Sequence, residues 1–260
     1  MARKTRVFAA IAALSLVVAA CGGSSDTSEG GLDLVKDGAL TVCSDVPYEP
    51  FEFKAEDGTY TGFDMDLMRA IAELNDLELE VSEQGFDGIW LAPAAGKCDV
   101  VASSMTITEQ RTQAADFTDG YFDSYQSLLV LNENKDTLNS IESLTGKTIA
   151  VQTGTTGEEY AKKNAPEAKI QSFDEASAMF LAFEAGQVDA ILQDFPINAY
   201  RAVKQGTSTV SIKFNTEPEQ YGFAVQKGDT NLLKILNEGL ATLKTNGSYD
   251  SIFAKYFGKD

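Results

Sequence analysis

Residues 103 to 111, Ser-Ser-Met-Thr-Ile-Thr-Glu-Gln-Arg, concentrate the chemistry of this chain. A guanidinium is a planar fork of donors that fits a carboxylate bidentately, and Ser103, Ser104, Thr106 and nearby backbone N–H groups can complete a cradle around a small anion. The run before them, Asp99-Val100-Val101-Ala102, reads as a strand. It delivers Arg111 and the hydroxyls into a loop at its carboxyl end, where open α/β sheets bind ligands. The same residues also read as a Ser/Thr-rich turn and a helix cap, Thr108-Glu109-Gln110-Arg111, with no ligand implied. A second candidate is Thr153-Gly154-Thr155-Thr156-Gly157, between a strand-like run at 147–152 and a helix reaching Lys163. A glycine-bearing loop at a helix start turns N–H groups and a positive dipole end outward, which suits an anion and equally suits plain capping.

The elements that must position these groups carry a weak internal repeat. Ala95-Gly96-Lys97-Cys98-Asp99-Val100-Val101-Ala102-Ser103-Ser104 aligns without gaps on Ala185-Gly186-Gln187-Val188-Asp189-Ala190-Ile191-Leu192-Gln193-Asp194. A helix-like run precedes each copy, so both read as helix, glycine turn, strand. The alignment sets Ser103 and Ser104 against Gln193 and Asp194, each pair at a strand end, and two similar sheets facing each other would bring those ends together. Residues 40–45 can likewise be set beside 147–152. Gly62-Phe63-Asp64 opens a helix with Asp64 as N-cap and Leu67, Ile71 and Leu74 on one face, followed by a strand at 78–82. Extended segments at 125–131 and 220–225 flank the second half and predict two crossing strands, a hinge. The tail reads as two amphipathic helices whose stripes, Leu232, Leu236, Leu240 and Leu243, then Ile252, Phe253, Tyr256 and Phe257, belong to core packing.

At the start, Arg3, Lys4 and Arg6 precede an apolar run from 7 to 20, a secretory signal too short for a dependable membrane span. The run ends Val18-Ala19-Ala20-Cys21-Gly22, which resembles a bacterial lipobox with Cys21 as the lipidated first mature residue. Residues 22–31 hold no apolar side chain and read as a flexible tether. The remaining roughly 230 residues are enough for two modest cores. The expected organisation is a signal peptide at 1–20, a tether at 21–31, a first lobe from 32–125 and 221–260, and a second lobe from 126–220.

Composition excludes several functions. The formal charge of -18 becomes three units more negative without Arg3, Lys4 and Arg6, a surface that repels nucleic acid and anionic lipid. The chain has no histidine, and no Cys/carboxylate cluster has metal-ligand spacing. No cofactor, no metal and no nucleophilic or histidine acid/base catalysis is expected. Without histidine, ligand binding is also expected to be flat between about pH 6 and 8.

The motifs Asp45-Val46-Pro47-Tyr48-Glu49-Pro50-Phe51-Glu52-Phe53, Gly62-Phe63-Asp64-Met65-Asp66-Leu67, Phe86-Asp87-Gly88-Ile89, Gly96-Lys97-Cys98-Asp99, Met105-Thr106-Ile107-Thr108-Glu109-Gln110-Arg111, Gly154-Thr155-Thr156 and Gln193-Asp194 occur together. In order and spacing they resemble the polar amino-acid type of extracellular solute-binding protein, family 3, which serves ABC importers. The resemblance runs from about Leu32 to Gly258. One departure is Trp90-Leu91-Ala92 before Pro93, where the family has a proline closer to Ile89.

The resemblance implies a periplasmic-binding-protein type II fold, two mixed α/β lobes joined by two hinge strands and closing on a ligand. It implies that Arg111 holds the α-carboxylate of a free amino acid with backbone or hydroxyl help from Ser104, Thr106 and Thr156, beside Thr155. Asp194 takes the α-ammonium with Ser103 as a further acceptor, and Tyr48 and Phe86 sandwich the ligand side chain. Asp45 meets the side-chain tip, which favours a basic amino acid or glutamine and repels glutamate and aspartate. Gln152 and Gln193 are placed to finish that choice. The implied partners are the free amino acid and an ABC permease, met by a monomer held outside the cell membrane by lipid on Cys21. Within the same fold a dehydratase-type enzyme is the alternative to a binding protein.

Cys43 and Cys98 remain. An oxidising compartment favours a disulfide. If Asp45 and Ser103 lie level at the ends of adjacent strands, however, Cys98 sits three residues below Cys43, an offset near ~10 Å at ~3.3 Å per residue. Bridged pairs have Cα atoms within about 7 Å. The pairing stays open on sequence grounds.

Overall fold

The structure is a computed structural model that describes residues 31–214 and 217–258. The expected signal peptide at 1–20, the lipidation site Cys21 and the tether up to Gly30 lie outside the described residues.

The chain forms fourteen strands and seven helices among the described residues. In the first half these are β1 (Ala39–Ser44), β2 (Phe53–Lys54), β3 (Tyr60–Thr61), α1 (Phe63–Leu74), β4 (Glu78–Glu83), β5 (Val100–Val101), α2 (Glu109–Thr112), β6 (Ala115–Phe117) and β7 (Phe122–Ser124). The second half adds β8 (Gln126–Leu131), β9 (Thr148–Gln152), α3 (Thr156–Asn164), β10 (Lys169–Phe173), α4 (Ala176–Glu184), β11 (Ala190–Asp194), α5 (Phe195–Gln205) and β12 (Ser208–Lys213). The chain ends with β13 (Glu219–Tyr221), β14 (Ala224–Gln226), α6 (Thr230–Asn246) and α7 (Ser248–Phe257).

Two five-stranded sheets result, in the orders β4-β1-β5-β14-β6 and β10-β9-β11-β8-β12. The internal repeat becomes a shared topology. Each central strand, β5 or β11, lies parallel to one neighbour, β1 or β9, and antiparallel to the other, β14 or β8. β1 is buried along its whole length, as a strand covered on both faces must be, and it is apolar except for Thr41 and the terminal Ser44. Under the first sheet α1 buries Phe63, Leu67, Met68 and Ile71, and α6 buries Leu232, Leu236, Leu240 and Leu243, the stripe expected of it. The second sheet has its own core of Leu128, Val130, Ile149, Val151 and Leu192. The two sheets are linked through a ribbon in which β7 pairs with β13. The extended run at 125–131 is therefore mostly a strand of the second sheet, and the crossings are made by the shorter ribbon beside it.

Two local expectations are corrected and one open pairing is resolved. First, α1 has no side-chain cap; Gly62 at φ 121° precedes it, and a Cβ there would lie 2.1 Å from the Phe51 carbonyl oxygen. Only glycine fits so close to that backbone, and Asp64 is free for another use described below. Second, the helix-like run before Gly96 is a 3₁₀ turn at Ile89–Leu91. Ala92 before Pro93 keeps helical backbone, but Pro93 lacks the N–H needed to continue the hydrogen-bonded ladder. Third, Cys43 and Cys98 form a disulfide with Cα atoms 5.7 Å apart. The register is the expected one, Cys43 opposite Val101. The distance is not, because β5 is only two residues long and the chain bends at Asp99. The Asp99 carboxylate accepts from the N–H groups of Val35 and Thr41, both at 2.7 Å, and pulls the bend under β1.

Candidate functional site

The carboxyl ends of β1 and β5 in one lobe face those of β9 and β11 in the other. Between them lies a cavity of about 310 Å³ lined by Asp45, Tyr48, Glu52, Phe86, Ser103, Ser104, Thr106, Arg111, Gln152, Thr155, Thr156 and Asp194. Eleven of the twelve residues singled out from the sequence for ligand binding thus meet at one place, Gln193 being the exception, and Glu52 joins them.

Arg111 stands on α2, whose N-cap Thr108 accepts from the Arg111 N–H at 3.2 Å. The capping turn and the functional loop are therefore one structure. The side chain is 4% exposed and no carboxylate lies within ion-pair distance of it among the described residues. Its Nη1 donates to the Thr106 carbonyl at 2.7 Å and its Nη2 crosses to the Gly154 carbonyl of the other lobe at 3.0 Å. Its guanidinium lies 5.3 Å from the Phe86 ring and 5.1 Å from that of Trp90. Burial lowers its pKa, while Glu159, Asp194 and Glu219 raise it from a distance. A buried cation with spare donors and no counter-ion is a receptor for an anionic oxygen. Two backbone donors stand ready beside it. Thr106 faces Tyr221 in an isolated bridge whose hydrogen bonds are made by Met105 and Ile107, so its own N–H points away from β13. Thr156 opens α3, where the first N–H groups have no intrahelical acceptor.

The other walls are acidic. The Asp194 carboxylate accepts from Gln126 Nε2 at 2.6 Å and from the Tyr221 hydroxyl. Burial, then the nearby Glu219 carboxylate, push its pKa up to about 7 against the pull of Tyr221, Gln126 and Arg111. Asp45 accepts from Gln152 Nε2 at 2.6 Å across the lobes, and burial raises it to about 6 despite that bond. These shifts run against the expectation of pH-independent binding, since they bring two carboxylic acids, in place of histidine, toward neutrality.

Beneath the floor lies a carboxylate pair that the sequence did not reveal. Ser103 and Ser104 both donate their hydroxyls to Glu52, at 3.2 and 3.1 Å, and Ser103 accepts the Asp45 N–H at 3.0 Å. Ser104 sits at φ 48°, and its N–H is held by Asp64 Oδ2 at 2.8 Å, which also accepts from Tyr121 at 2.7 Å. That is what Asp64 does in place of capping. Burial raises Glu52 well above the usual range, with Asp64 adding repulsion, and burial lifts Asp64 to about 7. The hydroxyl hydrogen of Ser104 is thus committed to Glu52, so any help it gives an anion does not come from its O–H.

The remaining placements differ in detail from expectation. Gln193 turns its amide away from the cavity, Nε2 donating to Asn198 at 2.9 Å and Oε1 only 3.4 Å from the Tyr48 hydroxyl. Thr155 caps α3, accepting from the Glu158 N–H at 3.1 Å and donating to the Gln152 carbonyl at 2.7 Å. Sequence reasoning missed Glu52, Trp90, Gln126 and Glu219. Strand periodicity held a clue to the last, since Glu219 and Tyr221 are two apart on β13 and point to the same side. Among the described residues no group of three or more Cys, Asp or Glu could hold a metal ion.

A family model for bacterial extracellular solute-binding proteins, family 3, matches residues 40–259. The chain belongs to that family. Over 267 residues this family 3 protein is 33% identical to the probable histidine-binding protein of Neisseria gonorrhoeae, covering 100% of this chain and 98% of that one. Among solved structures, an ancestral arginine-binding protein bound to glutamine superposes with a TM-score of 0.81 at 38% identity, over 86% of this chain and all of that one. The ancestral amino acid-binding protein AncCDT-1, a precursor of cyclohexadienyl dehydratase, gives 0.80 at 39% identity, covering 85% and 96%. The fold is that of the two-lobed, type II binding proteins.

Proposed function

We propose that this family 3 protein is the extracytoplasmic receptor of an ABC importer and binds one free polar amino acid, basic or glutamine-like, between its lobes. The observation that carries the reading is the buried, unpaired Arg111 facing a cavity whose other walls hold Asp45 and Asp194. The α-carboxylate meets Arg111 and the N–H groups of Thr106 and Thr156, the α-ammonium meets Asp194, and the side chain runs past Tyr48 and Phe86 to Asp45 and Gln152. A zwitterion leaves water only if both charges find partners, at a cost of roughly 2 to 5 kcal/mol for each that does not. Two of the relatives support this class of ligand, a probable histidine-binding protein and an ancestral arginine-binding protein bound to glutamine, while an L-cystine-binding protein of Escherichia coli, 29% identical, falls outside it. The lobes, 32–125 with 221–260 and 126–220, close about the ribbon as a hinge, and the permease reads the closed shape.

Calorimetry against the twenty amino acids tests the reading. Saturable binding of arginine, lysine, histidine or glutamine with weak or no binding of glutamate is the expected result; a preference for glutamate removes Asp45 from its role. The chain is read as a lipoprotein, monomeric and held at the membrane by Cys21. Cys21→Ala should move it from the membrane fraction to the soluble one without changing affinity, and persistent membrane association would show another anchor.

A second reading, a dehydratase-type enzyme, draws on one feature, a carboxyl at Asp194 that stays protonated close to neutrality inside a closed cavity, the state a general acid requires. Turnover of a cyclohexadienyl substrate, with no rise in melting temperature from any amino acid, would favour it. The binding reading accounts for more of the site, because it uses Arg111 and Asp45 as well.

A further inference from the structure

Glu219 does not line the cavity, yet it touches the side chains that do. It lies half-buried on β13, the return strand of the ribbon between the lobes. Its Oε2 accepts from the Thr106 hydroxyl of the first lobe at 3.0 Å and from the Thr156 hydroxyl of the second at 2.6 Å, while its Oε1 accepts from Gln126 Nε2 at 3.0 Å. The same Gln126 nitrogen bonds Asp194.

A threonine hydroxyl has one hydrogen and two lone pairs, and an ionised carboxylate only accepts. With Glu219 in place, both hydroxyl hydrogens point backwards and out of the cavity. What Thr106 and Thr156 present to a ligand is therefore oxygen lone pairs. Gln126 Nε2 lies 3.1 Å from the Thr156 oxygen, but its two hydrogens already serve Asp194 and Glu219; the oxygens of Thr106 and Thr156 both keep lone pairs for a ligand. Such oxygens repel a carboxylate and welcome an ammonium, and Gln126 Nε2 ties their shared partner Glu219 to Asp194.

We propose that Glu219 is a positioning residue that reverses the hydrogen-bond polarity of Thr106 and Thr156, making their hydroxyls acceptors for the ligand's α-ammonium and leaving the α-carboxylate to Arg111 and backbone N–H groups. The inference rests on the amino-acid reading of the cavity and specifies it further. It also joins recognition to closure, because one carboxylate on the crossing strand bonds a hydroxyl from each lobe and can hold both only when the lobes are together.

The test compares ligands with and without the α-ammonium on the full chain. L-arginine is paired with 5-guanidinopentanoate, and L-glutamine with glutaramate, each titrated by calorimetry into the parent, Glu219→Gln, Thr106→Val and Thr156→Val. A glutamine at 219 supplies an amide donor on one arm, so at least one threonine hydroxyl turns to face the ligand as a donor. Glu219→Gln should lose roughly tenfold or more in affinity for the amino acid, the order of a hydrogen bond to a charged group, and less than threefold for its desamino partner. The two valine variants should lose affinity in the same ligand-dependent way, and Glu219→Asp, too short to reach both lobes, should not rescue. The melting temperature of each unliganded variant checks that it folds. Equal losses for both members of a pair would mean that Glu219 only supports the ribbon, and an unchanged affinity for the amino acid would remove it from the site; either overturns this proposal alone. A parent that binds neither amino acid overturns the reading of the cavity and this proposal with it.

Discussion

Raising the pH from 5 to 8 perturbs the two acidic walls of the cavity without changing a residue, and the direction of the response follows from their environment. In the free protein burial holds Asp194 at about 7 and Asp45 at about 6. A cationic group placed against either favours the ionised form and brings that pKa back toward the ordinary ~4. The free protein then carries more protons than the complex, binding releases them, and affinity rises with pH. A carboxyl that falls from about 7 to ~4 on binding contributes close to a hundredfold between pH 5 and 8, and one that falls from about 6 contributes close to tenfold. Arginine engages both and should bind roughly 100- to 1,000-fold more tightly at pH 8; glutamine lacks a cation for Asp45 and should show the smaller gain. Calorimetry in two buffers of different ionisation enthalpy counts the protons released. Asp45→Asn should erase the difference between the two ligands by removing the Asp45 share. The same raised carboxyls act on the free protein in the opposite sense. Their folded pKa values exceed the unfolded ones, so the stability they lend is complete below about pH 4 and lost as the pH passes 6 to 7, and the unliganded melting temperature should fall over that window. A flat affinity from pH 5 to 8, or equal pH gains for arginine and glutamine, would refute the assignment of the walls.

Two substitutions probe the rest of the site. Arg111→Met should weaken amino-acid binding by roughly 2 to 5 kcal/mol while the unliganded protein stays folded, and Arg111→Lys should fail as well because an ammonium cannot make the two-pronged contact; an isothermal titration within threefold of the parent would exclude Arg111 as the carboxylate partner. Gly154→Ala puts a side chain on backbone at φ 77° and a Cβ 2.6 Å from Asp87 Oδ1 of the facing lobe and 3.1 Å from its Cα. Some 1–2 kcal/mol of backbone strain and a lobe separation of a few tenths of an ångström should follow, read as weaker binding and a larger radius of gyration of the liganded protein by solution scattering.

The parts of this molecule legible in the sequence are those where one residue type answers to one physical demand. The gapless match of 95–104 on 185–194 became two sheets with the same strand order, because a glycine turn feeding a buried apolar strand is a local instruction. The lining residues were legible because hydroxyls, a guanidinium and carboxylates at strand ends have few other uses. What escaped was set by tertiary approach. Asp64 looks like a helix cap until Ser104 comes within 2.8 Å from forty residues away. Glu52 stands between Phe51 and Phe53 like an outward strand residue, and only the packed floor shows it wholly buried under two serines. The disulfide escaped for the same reason: a bend at Asp99 defeats a distance reckoned on straight strands.

The charges around the cavity also order its ligands. The lining holds one guanidinium against the carboxyl groups of Asp45, Asp194 and Glu52, the last taken up by the hydroxyls of Ser103 and Ser104, with Glu219 behind them and two cross-lobe bonds, Arg111 to Gly154 and Gln152 to Asp45, already in place. A neutral-side-chain amino acid satisfies Arg111 and Asp194 and leaves Asp45 to Gln152 and to its own proton. A second carboxylate on the ligand faces Asp45 with like charge among buried side chains, where repulsion is screened less than at the surface. A second cation replaces the proton of Asp45 with a fixed charge and needs no rearrangement of Arg111 or Asp194. On the proposed reading of the site, basic ligands first, glutamine next and glutamate last is therefore the expected order, and it should sharpen as the pH rises, because each lost proton makes the walls more demanding of a cation.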